Sequence, residues 1–202
     1  MLRRALLLVI AMSGGAAAEV TAREKPSDLI DVAAVIPDAV IDMRYATKDN
    51  FTGDVLYPKA VCKLRRAVAK RLAKAADALR TQDRRLLLWD CYRPHSIQKV
   101  LWKKVPDPRY VANPKAGSKH NRGAAVDVAL VDKDGKPVVL PTKFDDFSRA
   151  AHRNRALAGD QGAEARRLEK AMRAAGFSGM PTEWWHFDAP DSASYALSDE
   201  PL

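Results

Sequence analysis

Residues 118–127 of the chain run Ser118-Lys119-His120-Asn121-Arg122-Gly123-Ala124-Ala125-Val126-Asp127, and an apolar run continues to Val131. Seven residues along one unbroken strand would place His120 and Asp127 on opposite faces of a sheet. Asn121-Arg122-Gly123 offers a turn that removes this conflict, and residues 125–131 have the pattern of a buried strand. The segment therefore predicts a turn followed by a strand, with both side chains at one site.

A second motif, Glu183-Trp184-Trp185-His186, lies near the C-terminus. Together His120, Asp127 and His186 offer two imidazoles and a carboxylate, a donor set that suits zinc and leaves its fourth position open. Glu183 is placed to act as a general base towards a water at that position. Each part alone also has a structural explanation: a histidine beside a turn, a capping aspartate, an aromatic strand. No His-Glu-x-x-His is present, so a helix-borne zinc site is excluded.

Three further motifs extend the pattern. They are Asp42-Met43-Arg44-Tyr45-Ala46-Thr47-Lys48-Asp49-Asn50-Phe51-Thr52-Gly53, Leu88-Trp89-Asp90-Cys91-Tyr92-Arg93-Pro94, and Phe144-Asp145. With the two metal motifs, they resemble the D-alanyl-D-alanine dipeptidase family, the zinc dipeptidases that include the vancomycin-resistance enzyme. The resemblance runs from about Asp31 to about Asp188 and implies the fold of the hedgehog and DD-peptidase group.

The resemblance implies a role for each matching residue. His120, Asp127 and His186 would hold one zinc ion per chain, and Glu183 would be the general base and later the acid. Arg93 would stabilise the oxyanion; Ser118, Tyr45 and Tyr57 would contact the substrate; Asp145 would bind its ammonium group. From the residues alone, Arg93 could instead be a surface arginine and Asp145 a helix N-cap before Phe147.

The function predicted from these roles is an exported zinc dipeptidase that hydrolyses D-alanyl-D-alanine, with a small dipeptide as its partner. A zinc DD-carboxypeptidase or endopeptidase acting on peptidoglycan peptides is the alternative. A non-catalytic zinc or cell-wall binding module is a third possibility. Glu183 argues against it, because a structural zinc site needs no base and usually has four closed ligands.

The N-terminus has the pattern of a secretory signal over residues 1–18, ahead of a single zinc dipeptidase domain over residues 19–202. Arg3 and Arg4 precede a short apolar run, residues 5–12, and Ala16-Ala17-Ala18 offers a cleavage site. An uncleaved membrane anchor is the alternative. Cleavage leaves 184 residues (202 − 18) with a formal charge of +7 (32 − 25). We expect a periplasmic protein with no stable membrane anchor. The basic residues are spread along helices, so we expect no nucleic-acid partner.

The chain has two cysteines, Cys62 and Cys91. In an exported protein we expect them to pair, and the bridge would close a loop of about thirty residues worth roughly 3–4 kcal/mol. Two buried free thiols are the alternative.

Hydrophobic periodicity predicts an α+β fold, a mainly antiparallel sheet flanked by helices. The predicted helices are 61–80, 97–104, 148–158 and 163–175. The predicted strands are one or two within 28–45, then 85–90, 125–131 with a hairpin return through 138–140, and 184–188. Residues 49–58 and 106–117 are predicted loops. His95 is expected to be structural or to start a helix, and His152 has no assigned role.

Overall fold

The computed structural model of the protein describes residues 25–202, so the predicted signal sequence, 1–18, lies outside the described residues. The strands are β1 (Leu29–Asp31), β2 (Val40–Ile41), β3 (Lys63–Arg65), β4 (Arg84–Asp90), β5 (Ala125–Asp132), β6 (Ser178–Gly179) and β7 (His186–Asp188). The α-helices are α1 (Arg66–Arg80), α2 (His95–Lys104), α3 (Arg153–Ala156) and α4 (Ala163–Ala174). Short 3-10 turns occupy Val32–Ala34, Arg44–Ala46, His120–Arg122, Arg149–Ala151, Asp160–Gly162 and Ser192–Ser194.

The main sheet has the strand order β2-β4-β5-β7-β6, and β1 pairs with β3 in a separate small ribbon. Strand β2 runs parallel to β4, whereas the other neighbouring pairs are antiparallel. The predicted single-domain α+β fold is confirmed. The sheet is mixed, because the short N-terminal strand enters parallel to β4 and not as its hairpin partner.

The register of the three central strands aligns the candidate site residues. Asp90 at the end of β4 lies opposite Asp127 of β5, and Asp127 lies opposite His186 of β7. A bulge between Leu88 and Asp90 shifts the β4 register just before this row. Residues directly opposite each other share a face of a sheet, so the three side chains form a line across it.

Helices α1 and α4 form the layer that packs on the sheet. The buried positions of α1 recur every three or four residues, as in an amphipathic helix: Val68, Ala69, Leu72, Ala75, Ala76 and Leu79. Helix α4 buries Ala165, Leu168, Ala171 and Met172 in the same way. The two helices contact each other, α1 also contacts β4, and α4 contacts β5. Their packing fixes the two strands that carry Asp90 and Asp127.

Four predicted elements differ from the observed ones. The helix predicted over 61–80 begins at Arg66, because residues 63–65 pair with β1. The helix predicted over 148–158 is a 3-10 turn followed by the four-residue α3, since His152 has an extended ψ of 132° between them. The predicted return through 138–140 is not a strand; one isolated bridge, from Val131 to Pro137, marks it. The strand predicted over 184–188 begins at His186, and its partner β6 was not predicted.

The predicted pairing of Cys62 with Cys91 is present as a disulfide. Both cysteines are fully buried. The bridge joins the chain just before β3 to the residue just after β4, and the Tyr92 amide donates to the Lys63 carbonyl beside it at 2.9 Å. The bridge therefore fixes the segment that leads from β4 to Arg93.

Within residues 25–202, no helix has the length and apolar character needed to cross a membrane.

Removing the disulfide should lower the stability of the fold. The two cysteines are 29 residues apart, and closing such a loop in the unfolded chain is worth about 3–4 kcal/mol. Cys62→Ala/Cys91→Ala should show a loss of this order in urea unfolding at neutral pH. Reductant should destabilise the wild-type protein and leave the double variant unchanged. A wild-type midpoint that does not respond to reductant would contradict a stabilising bridge.

Candidate active site

Three candidate metal donors meet at the row formed by β5 and β7. One atom each from His120, Asp127 and His186 lies within 4.8 Å of the other two. His120 Nε2 is 3.2 Å from His186 Nδ1, which is 3.0 Å from Asp127 Oδ1. The 3-10 turn His120–Arg122 ends at Gly123, whose φ of +65° permits the reversal into β5. The predicted turn thus brings His120 to the same side as Asp127.

The second ring nitrogen of both His120 and His186 takes part in a hydrogen bond outside the donor set. His120 Nδ1 is 2.7 Å from the Cys91 carbonyl, which can only accept, so this nitrogen is the donor. His186 Nε2 is 3.0 Å from the Asp188 carboxylate, which also accepts from Lys119 Nζ at 2.6 Å. These partners fix the tautomer of each ring and leave the two remaining nitrogens facing each other.

The donor set fits a divalent cation. One nitrogen of each imidazole and a carboxylate oxygen lie around one centre, and three electron-rich atoms at this spacing repel one another unless a cation lies between them. A proton takes that position in the metal-free protein. Burial lowers the pKa of His186, but its hydrogen bonds to Asp127 and Asp188 outweigh this and raise the pKa to about 10. Burial raises the pKa of Asp127, but the neighbouring His120 and His186 outweigh this effect and hold the pKa well below its ordinary value.

Glu183 lies beside the donors but outside their set. Its Oε2 is 4.0 Å from His186 Nδ1. Burial raises the pKa of Glu183 to about 7, and the neighbouring charge of Asp127 adds to this against the opposing effect of His186. A carboxylate with a pKa near neutrality is matched to taking up and releasing a proton during catalysis.

Arg153 holds the turn that carries Glu183. Its guanidinium donates to the Glu183 carbonyl at 2.9 Å, to the His186 carbonyl at 2.7 Å and to the Met180 carbonyl at 2.9 Å. It also pairs with Glu169 of α4. A Cβ on Gly179 would lie 2.1 Å from this guanidinium, so the glycine leaves the space that Arg153 fills.

Arg93 is buried, with 7% of its surface exposed, and is not a surface arginine. Its Nη2 and Nε donate to Asp90 Oδ2 at 2.6 and 3.1 Å, and its Nη1 donates to Gln98 Oε1 at 2.8 Å. A guanidinium has five N–H groups, so these bonds leave N–H groups on both Nη atoms for a ligand. The side chain lines the same cavity as the metal donors. Arg93 is therefore oriented as a donor towards that cavity.

Asp145 lies across the cavity from the donors. Its carboxylate accepts from the Tyr45 hydroxyl at 3.3 Å and from the Phe51 amide at 3.3 Å, so it is not a helix N-cap. Its backbone is in the left-handed region, with φ of 57°. Burial and the charge of Asp127 raise its pKa to about 8. This carboxyl lacks a cationic partner in direct contact among the described residues, as expected for a group that receives one from a ligand.

The three other predicted substrate contacts differ in position. Ser118 lines the cavity, and its Oγ accepts from the His120 amide at 3.2 Å. Tyr57 is fully buried behind the site, where its hydroxyl donates to Asp90 Oδ1 at 2.7 Å. This position makes Tyr57 a support for the carboxylate that holds Arg93. Tyr45 lines the cavity with its ring 5.1 Å from the Arg93 guanidinium.

The cavity has a volume of about 240 Å³. It contains the three donors, Glu183, Arg93, Ser118, Tyr45 and Asp145. Aromatic and aliphatic side chains complete its wall: Phe51, Leu101, Tyr110, Val111, Phe147 and Met180.

Residues 25–200 match the family model described as D-ala-D-ala dipeptidase. The chain is 36% identical to the D-alanyl-D-alanine dipeptidase of Escherichia coli (strain K12), over 85% of this chain and 89% of the relative. This chain belongs to the D-ala-D-ala dipeptidase family. Similar proteins also include the D-alanyl-D-alanine dipeptidases of Enterococcus faecium, at 31% identity, and Streptomyces coelicolor (strain ATCC BAA-471 / A3(2) / M145), at 29%. Each of these two alignments covers 79% of this chain and 86% of the relative. The family is one of metallopeptidases, which agrees with the donor set.

Several residues of this dipeptidase-family site were not predicted from the sequence. Asp188 follows His186 by two positions on one strand, so the period of two could have revealed it as a neighbour on the same face. Arg153 carries no such signal, because the carbonyls that it contacts lie 27, 30 and 33 residues away. Gln98 is five residues from Arg93, but a single glutamine on a helix does not by itself indicate its partner. His95 starts α2, as expected, and its Nε2 lies 2.7 Å from the Pro114 carbonyl.

The purified protein should carry about one divalent metal ion per chain. His120→Ala or His186→Ala removes one of three ligands, so metal content measured by elemental analysis should fall steeply. Glu183→Gln should keep the metal, because Glu183 is outside the donor set. His152→Ala, a histidine away from the cluster, is the matched control. Full metal occupancy in a variant lacking both His120 and His186 would place the metal elsewhere.

Asp145→Asn should stabilise the metal-free protein at neutral and alkaline pH. The folded pKa of Asp145 is about 8, against an ordinary 3.8. Between these values the unfolded chain loses the proton and the folded protein keeps it, so the carboxyl lowers stability increasingly as pH rises. Solvent at the cavity mouth screens the effect, and we expect a gain on the order of 1–3 kcal/mol near pH 8.

The stability gain of Asp145→Asn should shrink as pH falls and disappear at about pH 3 and below, where the wild-type carboxyl is protonated in both the folded and the unfolded state. Thermal unfolding from about pH 3 to 9 with chelator present measures this gain. A variant less stable than wild type at pH 8 would show that the bonds from Tyr45 and Phe51 require the ionised carboxylate.

Proposed function

We propose that this chain is a zinc-dependent dipeptidase that hydrolyses D-alanyl-D-alanine. One observation carries the proposal: the three candidate metal donors, Glu183, the buried Arg93 and the Asp145 carboxyl converge on one cavity of about 240 Å³. The names of the relatives support this substrate. We also propose that the fold is that of the hedgehog and DD-peptidase group, which the family membership supports.

Zinc held by His120, Asp127 and His186 would polarise the scissile carbonyl and lower the pKa of a water molecule. Glu183 would take the proton from the attacking water and deliver it to the leaving amine. Its pKa of about 7 in the metal-free site supports both steps. A nearby cation would lower this pKa and favour the base form at the start of the reaction.

Arg93 would donate its remaining N–H groups to the carbonyl oxygen as negative charge develops there. The bonds to Asp90 and Gln98 hold the guanidinium before the substrate arrives, so little reorganisation is needed. Removing one preorganised donor of this kind typically costs about 3–4 kcal/mol of transition-state stabilisation.

Asp145 would pair with the substrate ammonium and so select short substrates. A peptide extended at its N-terminus presents a neutral amide at that point and leaves the carboxyl without a partner. An ammonium would also lower the pKa of Asp145 from about 8 and stabilise its ionised form. This contact favours a dipeptidase over the alternative carboxypeptidase or endopeptidase, which must accept blocked peptides.

We further propose that the chain is exported to the periplasm. Arg3 and Arg4, the apolar run 5–12 and the alanines before Glu19 support a cleaved signal. A disulfide between Cys62 and Cys91 agrees with folding in an oxidising compartment.

D-alanyl-D-alanine should be cleaved far faster than its N-acetyl derivative. Acetylation removes the ammonium charge, and breaking a partly desolvated ion pair costs several kcal/mol, so we expect kcat/KM to fall about 100-fold or more. Dipeptides of LL, LD, DL and DD configuration should be assayed in parallel, with chelator abolishing activity.

Asp145→Ala should reduce this discrimination without changing metal content. Glu183→Ala tests the chemistry separately: it should keep the metal and lose turnover by about 10²–10⁴. Equal rates on free and acetylated dipeptide would favour the carboxypeptidase alternative and leave the metal site intact.

A further inference from the structure

A second cavity lies next to the candidate active site, with a volume of about 620 Å³. It is more than twice as large as the catalytic cavity, at about 240 Å³. Its wall combines aromatic and aliphatic side chains with charged ones of both signs: Trp89, Val138, Leu140 and Phe144, with Arg44, Lys143 and Asp49. It contains none of the three metal donors, nor Glu183 or Arg93.

Phe51 and Asp145 line both cavities and are the residues common to their walls. The Phe51 amide donates to the Asp145 carboxylate at 3.3 Å, so the two residues form one partition. The Phe51 ring packs against the rings of Tyr45 and Phe147, at centroid distances of 6.2 and 5.3 Å. Asp145 is also held by the Tyr45 hydroxyl. The partition is therefore supported by contacts on the catalytic side.

Substrate direction follows from the proposed function, on which this inference rests. The dipeptide ammonium meets Asp145, while its scissile carbonyl lies towards the metal donors. Any residue added before the ammonium must then pass the partition, and the space beyond it is the second cavity.

We propose that the Phe51 ring determines the specificity for substrate length. It separates the catalytic cavity from the second cavity, which is the site for a residue preceding the dipeptide. Shortening Phe51 joins the two cavities. The amide bond to Asp145 survives, because it comes from the Phe51 backbone. The enlarged site admits a tripeptide and releases its last residue, still more slowly than it cleaves the free dipeptide, because Asp145 then faces a neutral amide.

The reaction on the tripeptide is the same hydrolysis. The last peptide bond breaks, the hydroxyl of water joins the carbonyl carbon, and a proton passes to the leaving amine. The products are a dipeptide and a free amino acid, and no other reactant is consumed.

The second cavity also has a charge preference. Lys143 is exposed at its rim and takes part in no ion pair that residues 25–202 provide. Arg44 is paired with Asp42 and Asp49. An acidic residue at the first position of a tripeptide meets the free Lys143 charge, whereas a basic residue is repelled by it.

The test compares Phe51→Ala with Phe147→Ala. Phe147 has the same side chain and lines the catalytic cavity only, with its ring against Phe51. Its removal enlarges that cavity, while the Phe51 ring keeps its contact with Tyr45 and still stands between the two cavities. The substrates are D-Ala-D-Ala and the tripeptides Gly-, Glu- and Lys-D-Ala-D-Ala. We expect Phe51→Ala to raise the ratio of tripeptide to dipeptide kcat/KM by about tenfold or more, and Phe147→Ala to leave it near the wild-type value.

Adding Lys143→Gln to Phe51→Ala tests the charge preference. Phe51→Ala should cleave the Glu tripeptide about two- to fivefold faster than the Lys tripeptide, and Lys143→Gln should remove this difference. Phe51→Leu, which keeps an apolar contact with Tyr45, replaces Phe51→Ala if thermal unfolding shows that the alanine variant does not fold. It should give a smaller rise in the same ratio.

Two failures are distinguishable. A wild-type enzyme that does not cleave D-Ala-D-Ala overturns the proposed function. If the wild-type enzyme cleaves D-Ala-D-Ala but the Phe51 variants show no higher ratio of tripeptide to dipeptide kcat/KM than Phe147→Ala, the proposed role of Phe51 is wrong. The proposed function is then unaffected.

Discussion

The register of β4, β5 and β7 is the constraint on which the site depends. It places Asp90, Asp127 and His186 side by side across three strands. A slip of one residue in β5 would turn Asp127 to the opposite face and bring Val126 or Val128 into the row. The metal donors and the carboxylate that holds Arg93 would then separate. One pairing pattern thus sets both the cluster of candidate metal donors and the position of Arg93.

Buried polar contacts around this row orient the functional groups at some cost in stability. The Cys91 carbonyl and Asp188 fix the two imidazoles, and Asp90 fixes Arg93. Glu183 and Asp145, in contrast, are desolvated without a full set of partners, and their pKa values rise to about 7 and about 8. Destabilised groups of this kind are typical of sites that complete their contacts only with metal and substrate.

The sequence was sufficient to predict the residues of the site motifs and the secondary-structure elements with strong hydrophobic periodicity. His120, Asp127 and His186 could be grouped because donor chemistry and family motifs agree, and the turn at Gly123 followed from the strand period. Helix α1 was predicted from its apolar spacing, but its start was not. Val61 and Leu64 continue the helical pattern, and only pairing with the distant β1 shows that Leu64 belongs to a strand.

Arg153 and Tyr57 illustrate a second limit. Arg153 stands in an alanine- and arginine-rich segment whose composition favours an exposed helix, yet its side chain is buried against three carbonyls. Tyr57 has the residue type of a substrate contact, but the chain places its hydroxyl on Asp90 behind Arg93. Such placements come from long-range packing, which local patterns do not encode.

The close approach of Gly179 to Arg153 restricts how this protein can change. A side chain at position 179 has no space while the Arg153 guanidinium keeps its place, and shortening Arg153 removes the hydrogen bonds that it donates to the carbonyls of Met180, Glu183 and His186. Either change alone lowers the stability of this turn. We therefore expect positions 153 and 179 to vary together across homologues. A redesign of the turn beside the candidate metal donors must therefore replace both residues together and restore the hydrogen bonds that Arg153 donates to it.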